Sequence, residues 1–408
     1  MEICKRDKCT ACYACVNACL HGAIRMKEDI FGELHPVVDE TKCKQCQLCK
    51  KVCPNNVELE FNYPMHCYAS WITDKAKRRI CASGGIGTIM AEYVILKLHG
   101  VVFGSRYDKN LCPIMTFTEQ IEDLEFFKGS RYVQSIVGED TYIKVKEFLS
   151  CGRMVLFIGT PCQIAGLKTF LRKEYTNLIT VDLICHGVCP TKYFKEEIQY
   201  VCKTNNLRDI KDIRFRGNDG KNFYLSIWTG RRDGKTLKCI YNKPADLQYY
   251  FAGFLLGVSM RENCYSCGYA KPVRVSDITI GDFIGLGKRK LFPYSKNNVS
   301  SVTTNSNKGY MFYMQMSEAT SSLFNVERDY KERLDYKPSL LHPFDRHPLN
   351  EKFKRLYIDI GYVYAIRNTL KYIVRKNKIK RILNFWTYIY RIPRKIYRII
   401  TEKKVVNE

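Results

Sequence analysis

The sequence predicts three parts in order: an α+β module organised by two cysteine runs, an α/β domain with a parallel sheet, and a basic helical tail. Three observations predict them. Cysteines 9 to 19 repeat their spacing at 43 to 53, strand and helix patterns alternate between Thr141 and Cys185, and positive charge gathers after Glu351. At 408 residues and 46% hydrophobic content, the chain is long enough for two or three domains, each with its own core.

The first part rests on Cys9-x2-Cys12-x2-Cys15-x3-Cys19 and Cys43-x2-Cys46-x2-Cys49-x3-Cys53-Pro54, the spacing of two-cluster bacterial ferredoxins. Successive two-residue gaps let the backbone wrap three faces of a 4Fe-4S cube, and the fourth ligand comes from the other run. In this pattern Cys9, Cys12 and Cys15 take Cys53, whereas Cys43, Cys46 and Cys49 take Cys19. Zinc is the weaker alternative, because the triplets are too tight for separate tetrahedral knuckles. Leu20 replaces the proline that follows the second run, which alters geometry rather than ligation. The 34-residue offset marks an internal duplication, with Gly22-Ala23-Ile24 and Asn56-Val57-Glu58-Leu59 expected as equivalent short strands. Cys4, outside both runs, is expected to be incidental.

No run of 18 apolar residues occurs, and the first residues lack the apolar core of a signal peptide. The expected location is cytoplasmic, with the 20 cysteines reduced and serving as metal ligands rather than disulfides. The formal charge of +25 falls by about 2 for each assembled cluster with its four thiolates. Between Glu351 and Glu408 stand 16 Lys and Arg against 4 Asp and Glu, so the charge is local and reads as an interaction surface.

Beyond the module, Gly84-Gly85 precedes an expected helix from Ile86 to Leu98 and a strand at Val101-Val102-Phe103-Gly104. A helix after Thr141, a strand at Val155 to Ile158, a helix from Ile164 to Leu171 and a strand at Val181 to Ile184 compose a βαβ unit. Ligands bind beyond the carboxyl ends of such strands, where Gly159-Thr160-Pro161-Cys162-Gln163 and Cys185-His186-Gly187 lie. Asp219-Gly220 and Asp233-Gly234 punctuate hairpin-like segments, and residues 277–283 read as a short strand ending in a turn. Lys288 to Ser306, rich in Asn, Ser and Lys, reads as a loop before a helical C-terminus.

Taken together, Ser83-Gly84-Gly85, the stretch 128–135, Gly159 to Leu167, Asp182 to Gly187, Cys264-x2-Cys267 and Asp277 to Phe283 resemble the beta subunit of coenzyme F-420 hydrogenases and dehydrogenases. The resemblance runs from about residue 65 to 290 and implies FAD in the α/β domain, exchanging electrons with iron-sulfur clusters. The full expectation is an α+β two-cluster ferredoxin module (1–62), an N-terminal region of the beta-subunit type (63–150), a flavin and iron-sulfur domain (151–310) and a basic helical tail (311–408). The expected flavin contacts are Ser83, Gly84, Gly85, Lys128, Ser130, Arg131, Gly159, Thr160, Pro161 and Gln163. A glycine pair before a helix offers amides and the positive helix end to a pyrophosphate, and Lys128 and Arg131 would place positive charge beside the reduced flavin.

Cys264 and Cys267 need two more thiolates, and Cys162 and Cys185 are available at neighbouring strand ends. A third 4Fe-4S cluster is expected there, with structural zinc as its rival and Cys189 competing with Cys185. Cys67, Cys81, Cys112, Cys151, Cys202 and Cys239 read as small apolar residues, and His186 as a histidine satisfied by a backbone carbonyl.

The expected function is an iron-sulfur flavoprotein oxidoreductase that couples one-electron transfer to two-electron FAD chemistry, with ferredoxin, deazaflavin or NAD(P)H as electron partner. The alternative is an electron-transfer adaptor without its own substrate site. Bacterial relatives of this type are associated with polysaccharide synthesis, which the resemblance extends to a sugar- or lipid-linked precursor. No nucleic-acid module accompanies the charge, so nucleic acid is not an expected partner. In the tail, Ile379, Ile382, Leu383, Trp386, Ile389 and Tyr390 share one helical face. Two readings stand side by side: packing on the chain's own core or a dimer mate, and docking on an anionic membrane surface.

Overall fold

The computed structural model describes residues 1–216, 223–230 and 237–404, with side chains described through residue 384. The Asp219-Gly220 and Asp233-Gly234 turns, and Trp386, Ile389 and Tyr390, lie outside what is described.

The N-terminal module holds two one-turn helices, α1 (Ala14–Asn17) and α2 (Leu48–Lys51), one per cysteine run. Strands β1 (Ile24–Glu28) and β2 (Leu34–Val38) form an antiparallel hairpin. Its turn is organised by Asp29, whose Oδ1 accepts from the amides of Phe31 and Glu33, each at 2.9 Å. The strand expected at 56–59 does not form: β1 takes its partner from the segment between the repeats. Asn55 and Asn56 instead donate to the carbonyls of Lys8 (3.0 Å) and Ile3 (2.8 Å), tying down the N-terminus.

The α/β domain begins with β3 (His66–Ile72), α3 (Lys75–Arg79), α4 (Ile86–Leu98), β4 (Val101–Tyr107), β5 (Pro113–Thr118) and α5 (Leu124–Phe127). Next come α6 (Thr141–Ser150), β6 (Val155–Gly159), α7 (Pro161–Leu171), β7 (Leu178–Leu183) and α8 (Thr191–Thr204). A separate antiparallel sheet of β8 (Ile210–Arg214), β9 (Tyr224–Thr229) and β10 (Lys238–Pro244) leads to α9 (Tyr249–Leu255). The chain then returns through β11 (Ile278–Asp282), β12 (Ser300–Thr304), α10 (Asn307–Glu318), β13 (Leu323–Arg328) and α11 (Tyr330–Leu334).

Eight of these strands make one mixed sheet in the order β13-β3-β12-β11-β7-β6-β4-β5. Its four adjacent strands β11, β7, β6 and β4 are parallel, and the remaining pairings are antiparallel. The central β6 is a continuous apolar run, Val155-Leu156-Phe157-Ile158, as a strand covered on both faces requires. The sheet draws strands from residues 66 through 328, so it runs across the boundaries expected at 150 and 310.

The expectation of a loop through 288–306 is corrected by β12, which lies inside the sheet between β3 and β11. All five residues of Ser300-Ser301-Val302-Thr303-Thr304 are buried. Thr and Val suit a pleated strand, and partners satisfy the hydroxyls: Ser300 Oγ accepts from Gly84 N at 2.9 Å, and Thr303 Oγ1 donates to Asn305 at 3.0 Å. The polar composition of the preceding segment masks the strand.

Of the helical tail expected at 311–408, Leu323–Arg328 instead joins the sheet as β13, and the last helix is α12 (Asn350–Lys404), kinked at Gly361, where φ is 71°. Phe353, Tyr362, Ala365, Ile366 and Leu370 are buried in the cluster that includes side chains of α8 and α9, and Arg367 pairs with the buried Glu197 at 2.8 Å. Further on, Ile379, Ile382 and Leu383 are about half exposed, so the chain's own core does not cover these three described members of the apolar face. No helix among the described residues is long and apolar enough to cross a membrane.

Leu370→Ala should therefore cost about 2–5 kcal/mol of stability, whereas Leu383→Ala should stay within about 0.5 kcal/mol. Anaerobic thermal or urea unfolding of both variants checks this contrast.

Candidate functional site

Each cysteine run bends through two left-handed residues, Ala11 and Tyr13 in the first, Gln45 and Gln47 in the second. None is a glycine, and such φ values are strained for residues with a Cβ. The strain recurs at the same two places in both repeats, where it turns the backbone around the thiols. Burial and neighbouring thiols push Cys12 up to about 12 and Cys15 well above the ordinary range; Cys9 and Cys53 are neighbours of both. Cys49 is raised by burial together with Cys46, Cys19 and Cys43. By these neighbours Cys9, Cys12, Cys15 and Cys53 form an inner set, and Cys19, Cys43, Cys46 and Cys49 an outer one that touches it through Cys15 and Cys49. Cys46 is exposed, whereas Cys9, Cys12, Cys15 and Cys53 are buried.

Cys4 lies beside Cys9, Cys12, Cys15 and Cys53 on one small void, and Cys53 and Cys9 push its thiol well above the ordinary range. A lone cysteine outside a spaced motif carries no sequence signal that could have found it.

The inner thiols face the α/β domain. Cys12 packs on α7 so closely that a Cβ at Gly166 would stand 2.8 Å from its Cβ and 2.9 Å from its sulfur. Asn17 joins the two parts, its Nδ2 donating to Gly138 O at 2.9 Å and its Oδ1 accepting from Tyr142 N at 2.9 Å. The buried Arg261 donates to the carbonyls of Cys9 (3.1 Å) and Leu34 (3.2 Å) in the module, and to Gln134 (3.0 Å) and Asn263 (3.1 Å) in the domain.

Behind α7, Cys162, Cys185, Cys264 and Cys267 line one cavity of about 60 Å³. Cys162 sits in the first turn of α7, Cys185 follows β7, and the pair Cys264 and Cys267 comes from the turn at Glu262–Ser266. Burial pushes Cys162 up to about 11 and Cys185 up to about 12, with neighbouring thiols of the set adding to each. Gly187 has φ 115°, and a Cβ there would stand 2.6 Å from Met260 Sδ; its freedom lets the turn carry Cys185 across to Cys264. Cys189, the expected competitor, does not line the cavity and contacts Ser259 at 3.4 Å. Among the described residues, no three His, Cys, Asp or Glu side chains converge as a single metal ion requires.

A larger cavity of about 420 Å³ opens at the carboxyl ends of β6, β7 and β11. Of the expected flavin contacts, Ser83, Gly85, Lys128, Ser130, Arg131, Gly159, Thr160 and Gln163 line it. Gly84 and Pro161 do not. Gly84 is wedged in the sheet, where a Cβ would meet Ser70 O at 2.3 Å, and Pro161 faces the smaller cavity. Gly85 caps α4 at φ 87° with Ile72 against it, so its role is packing and turn geometry. Gly87, one turn position further, lines the cavity with room for a Cβ. The start of α4 has no side-chain cap, which leaves its first amides open to an anion.

The polar side chains divide by task. Gln163 closes a capping box, accepting from Thr160 N at 2.9 Å, and donates to Ser135 O at 3.1 Å. Lys128 pairs with Glu125, and Arg131 donates to Phe126 O at 2.5 Å and lies 4.9 Å from the centroid of the Tyr107 ring. Three further cations that the sequence reading missed, Arg216, Arg333 and Lys337, also line the cavity; none sits in a recognisable motif. His186 borders both cavities and is held neutral, lowered to about 4 by burial and by Lys337. The backbone carbonyls of Leu255 and Phe254 supply its expected partners, while Nε2 has none among the described residues.

Comparison with known proteins places this geometry. Residues 152–326 match the C-terminal family of the coenzyme F420 hydrogenase/dehydrogenase beta subunit, and residues 8–57 match the 4Fe-4S dicluster domain. Over those two stretches the chain is similar to both families. As an iron-sulfur, oxidoreductase-like chain it is similar to one of the subunits of the F(420)H(2) dehydrogenase from Methanosarcina mazei, 23% identical over 256 residues, covering 57% of this chain and 67% of the relative. A chain from the F420-reducing [NiFe] hydrogenase complex of Methanosarcina barkeri superposes with a TM-score of 0.44 at 16% identity, covering 77% of this chain and 94% of that one.

Gly166→Ala should push the module off α7, costing about 1–3 kcal/mol. Anaerobic unfolding with iron analysis checks it: the variant should unfold earlier yet still bind iron in the module.

Proposed function

We propose that the chain is an iron-sulfur flavoprotein oxidoreductase, with two 4Fe-4S clusters in the module, a third on Cys162, Cys185, Cys264 and Cys267, and FAD in the large cavity. The observation that carries this reading is the continuity of the four sites. The outer thiols adjoin the inner ones, the inner ones touch α7 through Cys12, α7 carries Cys162, and Cys185 and His186 border both cavities. Thiols that are costly to ionise when buried become favourable ligands around a positively charged core.

Bound clusters pass single electrons, and bound FAD combines two of them for chemistry on an organic partner. The chain's own residues position those groups: the open start of α4 receives phosphate oxygens, Gly187 sets Cys185 over Cys264, and Phe254 and Phe344 hold the neutral His186 ring at centroid distances of 5.0 and 4.3 Å. Lys42, Lys44 and Lys51 stand exposed around the outer thiols, which suits an acidic one-electron carrier of the ferredoxin type as electron partner. The F(420)H(2) dehydrogenase relative supports a deazaflavin as the organic partner and a place among partner subunits. A polysaccharide precursor as substrate rests on the family resemblance.

Anaerobic purification should yield about twelve iron and one FAD per chain, the iron count following from three 4Fe-4S sites. Eight iron with one zinc would assign the third site to zinc, and full iron without flavin would leave the electron-transfer adaptor. Cys12→Ser should remove one cluster's spectroscopic signature and spare the others. Gly87→Asp puts a carboxylate where it favours the α4 helix end but opposes a pyrophosphate, so it should lose flavin while retaining iron; unchanged flavin occupancy would overturn the assigned pocket.

A further inference from the structure

Arg333, on α11, is only 1% exposed, lines the large cavity, and has Nε and Nη1 without hydrogen-bond partners among the described residues. A buried guanidinium left short of acceptors is strongly unfavourable. Of the five cations among the described lining residues, Lys128 already pairs with Glu125 and Arg131 donates to Phe126 O, which leaves Arg216, Arg333 and Lys337 beside the single lining carboxylate of Asp282. Asp282 already bonds Arg216 at 2.5 Å. Burial lowers Arg333 to about 10, and lowers Lys337 with Arg333 adding to the same direction. The fold has placed more positive charge here than it neutralises.

We propose that Arg333, Arg216 and Lys337 form an anion subsite that takes a phosphoryl or carboxylate group of the organic substrate. A guanidinium presents the fork geometry that such oxyanions match. Lys337 lies near His186 and Cys185, whereas the first turn of α4 would serve the cofactor's phosphates. Arg333 and Lys337 fall outside the family-matched residues 152–326, and Arg216 falls inside them. Assigning the anion to substrate rather than cofactor rests on the flavin reading; the anion subsite itself does not.

The test titrates inorganic phosphate, and separately acetate, into the anaerobically purified full chain at constant ionic strength, following the thermal midpoint and the flavin absorbance. Phosphate or acetate should raise the parent's midpoint saturably. Arg333→Met should bind the same anion roughly 10- to 100-fold more weakly, unfold at a higher temperature than the parent without anion because an uncompensated buried charge is gone, and retain its flavin. Lys337→Met, at a half-buried position, should show the same loss of anion binding should the Arg333 variant not fold. Unchanged anion affinity in Lys337→Met and any folded Arg333→Met overturns the proposal, as does loss of flavin from Arg333→Met with iron retained, which would give these cations to the cofactor. A parent without flavin that still binds phosphate through Arg333 would sink the flavin reading and support the subsite.

Discussion

The guanidinium of Arg261 is the fixed point on which the arrangement depends. It is 1% exposed, and its hydrogen bonds reach backbone carbonyls on the cysteine module as well as side chains on the α/β domain. Its nearest carboxylate, Glu33, lies 3.9 Å away and accepts instead from Glu262 N at 2.9 Å. Removing such a group would leave several acceptors buried and unsatisfied at once. The bonds end on Cys9, which belongs to the inner thiols, and on Asn263, which precedes Cys264. One side chain therefore ties together two sets of cysteines, and an apolar contact of the same area would not fix their separation, because hydrophobic burial is non-directional.

Much of the fold was legible because its signals are local. The helix Ile86–Leu98 and the strand after Val155 stand where periodicity puts them, and the module's cysteine spacing is matched by the dicluster domain. What was not legible depends on partners distant in the chain. β12 reads as a polar linker until its hydroxyls find Gly84 and Asn305. Arg333 and Cys4 belong to no motif and acquire meaning only when α11 and the N-terminus reach sites formed by other segments. The glycine pair was legible as a backbone requirement, but the close neighbours of Gly84 and Gly85 are Ser70, Ser300 and Ile72, which no spacing rule reveals.

The tail divides in the same way. Its first half follows from helical burial on α8 and α9, with the Arg367–Glu197 pair anchoring a polar position inside the apolar contact. Past Val374 the described apolar residues Ile379, Ile382 and Leu383 find no cover, although Arg381 still reaches Asp246 at 2.6 Å. The charge that marks the tail in the sequence is thus partly spent on holding the helix to its own domain.

The exposure of Cys46 beside buried inner thiols has a consequence for durability. Attack on a thiolate or its metal by oxygen or a chelator follows access, so the outer site is the one that damage reaches first. Loss there leaves Cys9, Cys12, Cys15 and Cys53 under cover, with Arg261 still locking the module to the domain. On the proposed reading, the injured protein would remain folded with its inner thiols covered and lose its link to an external carrier, so a sample brought into air would fail by disconnection well before it failed by unfolding.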